Sequence, residues 1–252
     1  MAGGVKRRST LWARVKRRPW RSALTVLWRL TRGGLYAGTA FIAGSFLVVL
    51  VAGYVGVPPS ILMIQQKFGG ESVRRVQVSL DAVEPALVHA IIGAEDSRFC
   101  SHDGFDVEAI REALANNAEG GRRRGASTIS QQTAKNVFLW NGGGWARKGV
   151  EAWFTFLIEL TWSKRRIIEA YVNIAEWGDG LFGAEAAARV RFNTNARDLS
   201  ARQAALLAAV LPNPNTWRVD PPGPYVAGRA GTLEARAGVV RREGYAACVY
   251  GG

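Results

Sequence analysis

One short segment concentrates groups that move protons: Glu95-Asp96-Ser97-Arg98-Phe99-Cys100-Ser101-His102-Asp103-Gly104-Phe105-Asp106. Glu95 ends an apolar run and precedes a turn, where a carboxylate can be partly buried. Burial raises a carboxylate pKa and makes the group usable as a proton acceptor or donor near neutral pH. The plainer alternative is a helix-end ion pair of Glu95 with Arg98 or His102. A second segment runs from Gly125 to Asn136 (GASTISQQTAKN) after a basic stretch, Arg122-Arg123-Arg124, that is usually just solvated. Acid–base chemistry beside a place to hold an anion is the first reading of the two together.

A third group centres on Glu151. Arg147 and Lys148 precede it by four and three residues, on its own helix face. Such a trio is often a weak surface pair, yet Val150, Trp153, Phe154 and Leu157 around it suggest an interior or groove. Lys135, Arg147, Lys148, Lys164, Arg165 and Arg166 are candidates for an anion site, because Arg grips phosphate as a fork and Lys as a point charge. They are equally able to rest on anionic lipid. No phosphate loop of the GxxxxGK[ST] kind is present, and two Cys and two His, all scattered, do not make a zinc site.

These residues need helices to position them. Residues 79 to 94 repeat apolar positions at helical spacing, with Ser79 as the expected cap and Pro85 in the first turn. Asp106 caps an expected helix to about 117. Thr128 and Gln131 form a capping box, as do Ser200 and Gln203. Residues 145 to 177 read as helix with a break near Ser163. Residues 178 to 183 form a turn, 184 to 189 a short helix, and 226 to 243 a terminal one. Residues 60 to 68 are short and amphipathic, with a slight preference for a membrane surface over the core. Strand alternation is scarce, with 73 to 78 the best candidate, so the body is expected to be mainly α.

Net charge is +13, but residues 1 to 32 hold 10 of the 33 Lys and Arg and no acid. The rest of the chain is only +3, which argues for a membrane topology signal rather than a nucleic-acid surface. Residues 35 to 57 are uncharged over 23 positions. That length spans a hydrocarbon core of about 30 Å and exceeds the apolar stretch of a cleaved signal peptide. The expected organisation is therefore a basic cytoplasmic tail (1–34), a transmembrane helix (35–57) and an exported domain (58–252). Cys100 and Cys248 would then meet an oxidising space, but their distance along the chain does not favour a pair.

In order, the blocks Glu95 to Asp106, Gly125 to Asn136, Arg147 to Glu151 and Lys164 to Asn173 resemble glycosyltransferase family 51, the peptidoglycan glycosyltransferases. The segments 182 to 188 and 206 to 214 are similar too. No serine has a lysine three positions on, so the penicillin-binding nucleophile motif of larger members is missing. The resemblance implies a lysozyme-like α fold behind one membrane helix, at the inner membrane. It implies polymerisation of lipid II, a lipid-linked disaccharide-pentapeptide. The acceptor 4-hydroxyl displaces the undecaprenyl pyrophosphate of the growing glycan with inversion.

On this likeness Glu95 matches the general base. Glu151 matches a second essential carboxylate that organises the donor pyrophosphate, with Mg²⁺ or Mn²⁺ as an optional aid. Lys135, Arg147, Lys148 and Lys164 match basic substrate-binding positions. Gly125, Ser127, Thr128, Gln131, Gln132 and Asn136 match a polar shell on the donor side. Asp96, Phe99 and His102 match the first loop, which Asp96 and His102 hold in shape. Expected partners are the membrane, the lipid-linked glycan and proteins of division or elongation. Two departures stand out: Asn141-Gly142-Gly143-Gly144 where relatives often carry an arginine, and Cys100 where an aromatic is frequent. The rival reading is a lysozyme-like hydrolase of glycan strands, with Glu95 and Glu151 flanking the scissile bond. The cationic residues argue against it, because a strand cutter has no charged leaving group.

Overall fold

The computed structural model describes residues 19–119, 125–140 and 142–251, with side chains from Leu24 onward. The basic tail before residue 19, Arg122 to Arg124 and Asn141 lie outside the described residues. The chain divides into two units between Ser45 and Phe46.

Helix α1 (Pro19–Val55) starts well before the uncharged stretch and ends two residues short of its expected end. Arg29 and Arg32 are therefore helical, and Arg32 is exposed and donates to the Tyr36 hydroxyl at 2.9 Å. Leu24–Val55 is long and apolar enough to cross a membrane.

The second unit is helical. Ser60 caps α2 (Ile61–Phe68), accepting from the Met63 amide. Met63 is in the core while Phe68 is almost fully exposed, so α2 contributes one side chain to the core and leaves an apolar end uncovered. The expected strand shrinks to β1 (Arg74–Arg75), paired in parallel with β2 (Leu181–Phe182). Beyond it the Asn173 side chain replaces a strand, donating to Val78 O and accepting from Val78 N, both at 2.9 Å. The expected helix from 79 is split. Ser79 opens only a single 3₁₀ turn, and α3 (Pro85–Glu95) is capped by Glu84 instead. Proline suits the first helical position but disfavours helical backbone in the residue before it, so the break falls there.

Helices α4 (Val107–Ala118), α5 (Ile129–Phe138), α6 (Gly144–Thr161) and α7 (Lys164–Ile174) follow, with Asp106, Thr128 and Ser163 as the caps of α4, α5 and α7. Then come α8 (Ala184–Phe192), α9 (Ala201–Val210), α10 (Pro224–Arg242) and α11 (Ala247–Tyr250). α3 is the buried axis: Leu87, Val88, Ala90, Ile91 and Ile92 have no exposure. It packs on α9 and α10, while α5 packs on α6 and α7, where the Phe138 and Phe154 rings stack at 4.7 Å. Burying each such aliphatic side chain contributes about 1.5–3 kcal/mol, which is what fixes the end of α3 in place.

Cys100 and Cys248 form a disulfide, with Cα atoms 5.6 Å apart. This corrects the expectation from their separation: α11 folds back on the 3₁₀ turn Phe99–Ser101 and on α7, a tertiary contact that spacing does not encode.

Candidate active site

Glu95 is the last residue of α3, so the buried axis delivers its carboxylate to the edge of the core. Burial raises its pKa, and a hydrogen bond from Gln132 and the charge of Arg229 pull the other way. Gln132 Nε2 donates to Glu95 Oε2 at 2.9 Å. The amide is in turn oriented by the Tyr171 hydroxyl, which donates to Gln132 Oε1 at 3.2 Å. Tyr171 is buried, and burial followed by the Glu95 charge raises its pKa, so it remains a donor. The helix-end ion pair considered for Glu95 does not form. Arg98 turns to Asp106 (2.8 Å) and Glu108, and His102 to Asp96.

Asp96 joins the first two sequence blocks. The Gly104 amide donates to His102 Nδ1 at 3.1 Å, so Nε2 carries the proton of the neutral ring and donates to Asp96 Oδ1 at 2.9 Å. Asp96 Oδ2 accepts from the Ile129 amide at 3.0 Å, in the first turn of α5, where a carboxylate also meets the helix dipole. Thr128 donates to Gly104 O at 2.6 Å. Gly104 has φ +88°, and a Cβ there would lie 2.8 Å from Thr155 Cγ2 and 2.9 Å from Glu159 Cγ, so this turn needs glycine. Asp96, His102 and Asp106 come close enough to suggest a metal. Their oxygens are already committed, those of Asp106 to Arg98 and the Ala109 amide, so the cluster is a hydrogen-bonded brace.

The third block forms the cationic wall. Glu151 is 3% exposed and takes Arg147 Nη1 on Oε2 at 2.8 Å and Lys148 Nζ on Oε1. This is a buried group, not a surface pair. Lys135, on α5 one turn beyond Gln132, stands in the field of the same trio. Burial lowers its pKa, the Glu151 charge raises it, and Arg147 and Lys148 lower it. A divalent ion does not fit Glu151, because both its oxygens are occupied by cations.

Glu95 and Gln132, joined by their hydrogen bond, line two different cavities. One, of about 460 Å³, is lined by Glu95, Asp96, Gly125, Ser127, Thr128 and Arg236. The other, of about 250 Å³, is lined by Gln132, Lys135, Asn136 and Tyr171. The polar shell expected on one side is thus divided between both. Gln131 lines neither; it completes the capping box with Thr128. Phe99 is core. Lys164 is not in the cationic wall: its ammonium lies 4.7 Å from the Phe99 ring centre and binds Glu159 Oε1 at 2.8 Å and His102 O. Arg165 and Arg166 pair with Asp81 and Glu169. Sequence reasoning missed Tyr171, although it sits in the fourth block, and Glu159, which accepts from Ser130 and Lys164. It also missed Arg229 and Arg236, which only the packing of α10 on α3 brings near Glu95.

The sequence model of the transglycosylase family matches residues 63–237. The biosynthetic peptidoglycan transglycosylase of Rhodospirillum centenum is 54% identical over 206 residues, covering 81% of this chain and 89% of that protein. That of Pseudomonas entomophila is 52% identical over 215 residues (83% and 89%), and that of Caulobacter vibrioides 47% over 208 (82% and 91%). The matched span runs from α2 into α10 and contains Glu95, the Asp96 brace and the Glu151 wall, and on these grounds the chain belongs to the transglycosylase family.

Proposed function

We propose that this chain is a peptidoglycan glycosyltransferase that polymerises lipid II into glycan strands, with Glu95 as general base. The observation that carries the reading is a part-buried carboxylate that lines one cavity and is oriented by Gln132, which lines a second cavity together with Lys135. The acceptor occupies the larger cavity with its 4-hydroxyl at Glu95. Glu95 takes the hydroxyl proton as the oxygen attacks C1 of the donor from the face opposite the leaving group. The C1–oxygen bond to the lipid pyrophosphate breaks, and its electron pair leaves with the diphosphate. Lys135, Arg147 and Lys148 offset that charge as it develops. Glu151 keeps the cations in place. Glu95 then returns its proton to solvent. Ser127, Thr128 and Gly125 face the acceptor, and Gln132 and Asn136 the donor. No step passes through a metal.

The anchor lies within residues 35–57, the basic tail before it stays in the cytoplasm, and residues 58–252 are the catalytic domain outside. The tail charge supports that orientation, as does the Cys100–Cys248 disulfide, which suits an oxidising compartment. The membrane is the inner one, and division or elongation proteins are the expected partners. The test is polymerisation of labelled lipid II by wild type and Glu95→Gln. Loss of a general base should slow the reaction by about 10²–10⁴-fold with thermal melting unchanged. Undiminished polymer from the variant would refute the assignment, and muropeptides released from purified sacculi would favour the hydrolase.

A further inference from the structure

α10 presents Tyr225, Arg229, Thr232 and Arg236 at spacings of four, three and four residues, which places them on one helix face. That face walls a groove of about 390 Å³ beside Gly228 and Leu233. Arg236 lines both this groove and the Glu95 cavity, so the two openings adjoin at its side chain. Gly93 permits the approach, since a Cβ there would stand 3.2 Å from Arg236 Cβ. Arg236 is exposed and makes one long contact, 3.4 Å to Gly93 O. Arg229 donates through Nε to Ala209 O at 3.1 Å. Among the described residues neither guanidinium forms a salt bridge, although the charge of Arg229 is felt by Glu95, and no acid lines the groove. Glu234, on the same helix, pairs with Arg202 instead.

We propose that this groove binds the peptide branch of the acceptor, with Arg236 and Arg229 pairing with its carboxylates. The inference rests on the glycosyltransferase reading. A cavity of this volume suits a small ligand, so a disaccharide-pentapeptide with its hydroxyl at Glu95 has to carry its peptide outward. The adjoining groove is open, with an apolar floor and two guanidiniums along one helix face, and those paired cations suit a peptide that carries carboxylates rather than an uncharged acyl chain. Arginine meets a carboxylate through paired N–H donors, and Tyr225 adds a half-exposed aromatic face.

The experiment compares full lipid II with the same lipid-linked disaccharide lacking the peptide, as the ratio of their KM values. Hydrogen bonds to charged groups correspond to about tenfold or more in affinity, so wild type should favour the peptide-bearing substrate by at least that factor. Arg236→Gln and Arg229→Gln should each bring the ratio toward one, and Arg236→Lys should restore part of it. A wild type without preference overturns the inference, and so do variants that keep the ratio while losing rate on both substrates. The latter result would assign Arg236 to the fold or to the diphosphate that both substrates share. Wild type that makes polymer from neither substrate overturns the underlying reading, and this one with it.

Discussion

Replacing Gln132 by Leu should move the acid limb of the pH–rate profile toward higher pH. Burial raises the Glu95 pKa, and the 2.9 Å hydrogen bond from Gln132 is the largest influence holding it back, ahead of Arg229. A hydrogen bond to a charged group is worth about 1.5–3 kcal/mol, and about 1.4 kcal/mol is tenfold in an equilibrium. On the acid limb the rate follows the ionised fraction of Glu95, so Gln132→Leu should be slower there by about ten- to a hundredfold. On the plateau Glu95 is ionised in both proteins, and the variant's more basic carboxylate limits the loss. Tyr171→Phe is the graded control. It removes the donor to Gln132 Oε1 and should shift the limb the same way by less. The assay is the initial rate of labelled lipid II polymerisation well below KM, where the pH profile reports the free enzyme, over a pH series with thermal melting at each pH. The linked stability has a definite sign. A carboxylate whose native pKa is raised contributes stability that is present below its unfolded value and lost as pH rises through the native one. Melting of Gln132→Leu should therefore go on falling with pH beyond the point where wild type levels off. An acid limb that stays in place, or moves to lower pH, would sink the argument that Gln132 supports the charged base.

Glu151→Gln leaves Arg147 and Lys148 without their counter-charge. Lys148 is 41% exposed, so solvent softens the loss and destabilisation of about 1–3 kcal/mol is expected in urea titration, with polymerisation strongly reduced. Gly104→Ala should cost about 1–3 kcal/mol, because a left-handed backbone and two contacts under 3 Å coincide there. Polymerisation should fall as the Asp96–His102 turn shifts. Cys248→Ser should lower stability by about 2–5 kcal/mol, and dithiothreitol should bring wild type to the same melting point without affecting the variant.

Much of the fold was legible because helix starts are local chemistry. Asp106, Thr128 with Gln131, and Ser200 with Gln203 could be read as caps and are caps. Where two local rules competed, sequence reading chose wrongly: Ser79 is a good cap, but Pro85 restricts Glu84 and moves the start to that residue. The Glu151 trio was legible from its i−4 and i−3 spacing. Lys164 was not separable from it, since a basic residue after a loop looks alike whether it meets a ligand or, as here, Glu159 and Phe99. Arg229 and Arg236 were invisible for a different reason. They sit more than 130 residues after Glu95 on a helix of weak amphipathicity, and only its contact with α3 gives them meaning.

The disulfide from residue 248 has one more consequence. A ribosome finishes every acid and cation of both clusters long before it reaches Cys248. A copy interrupted between the end of α10 and Cys248 would keep these residues and the helices packed on α3 yet leave the turn beside Asp96 untethered.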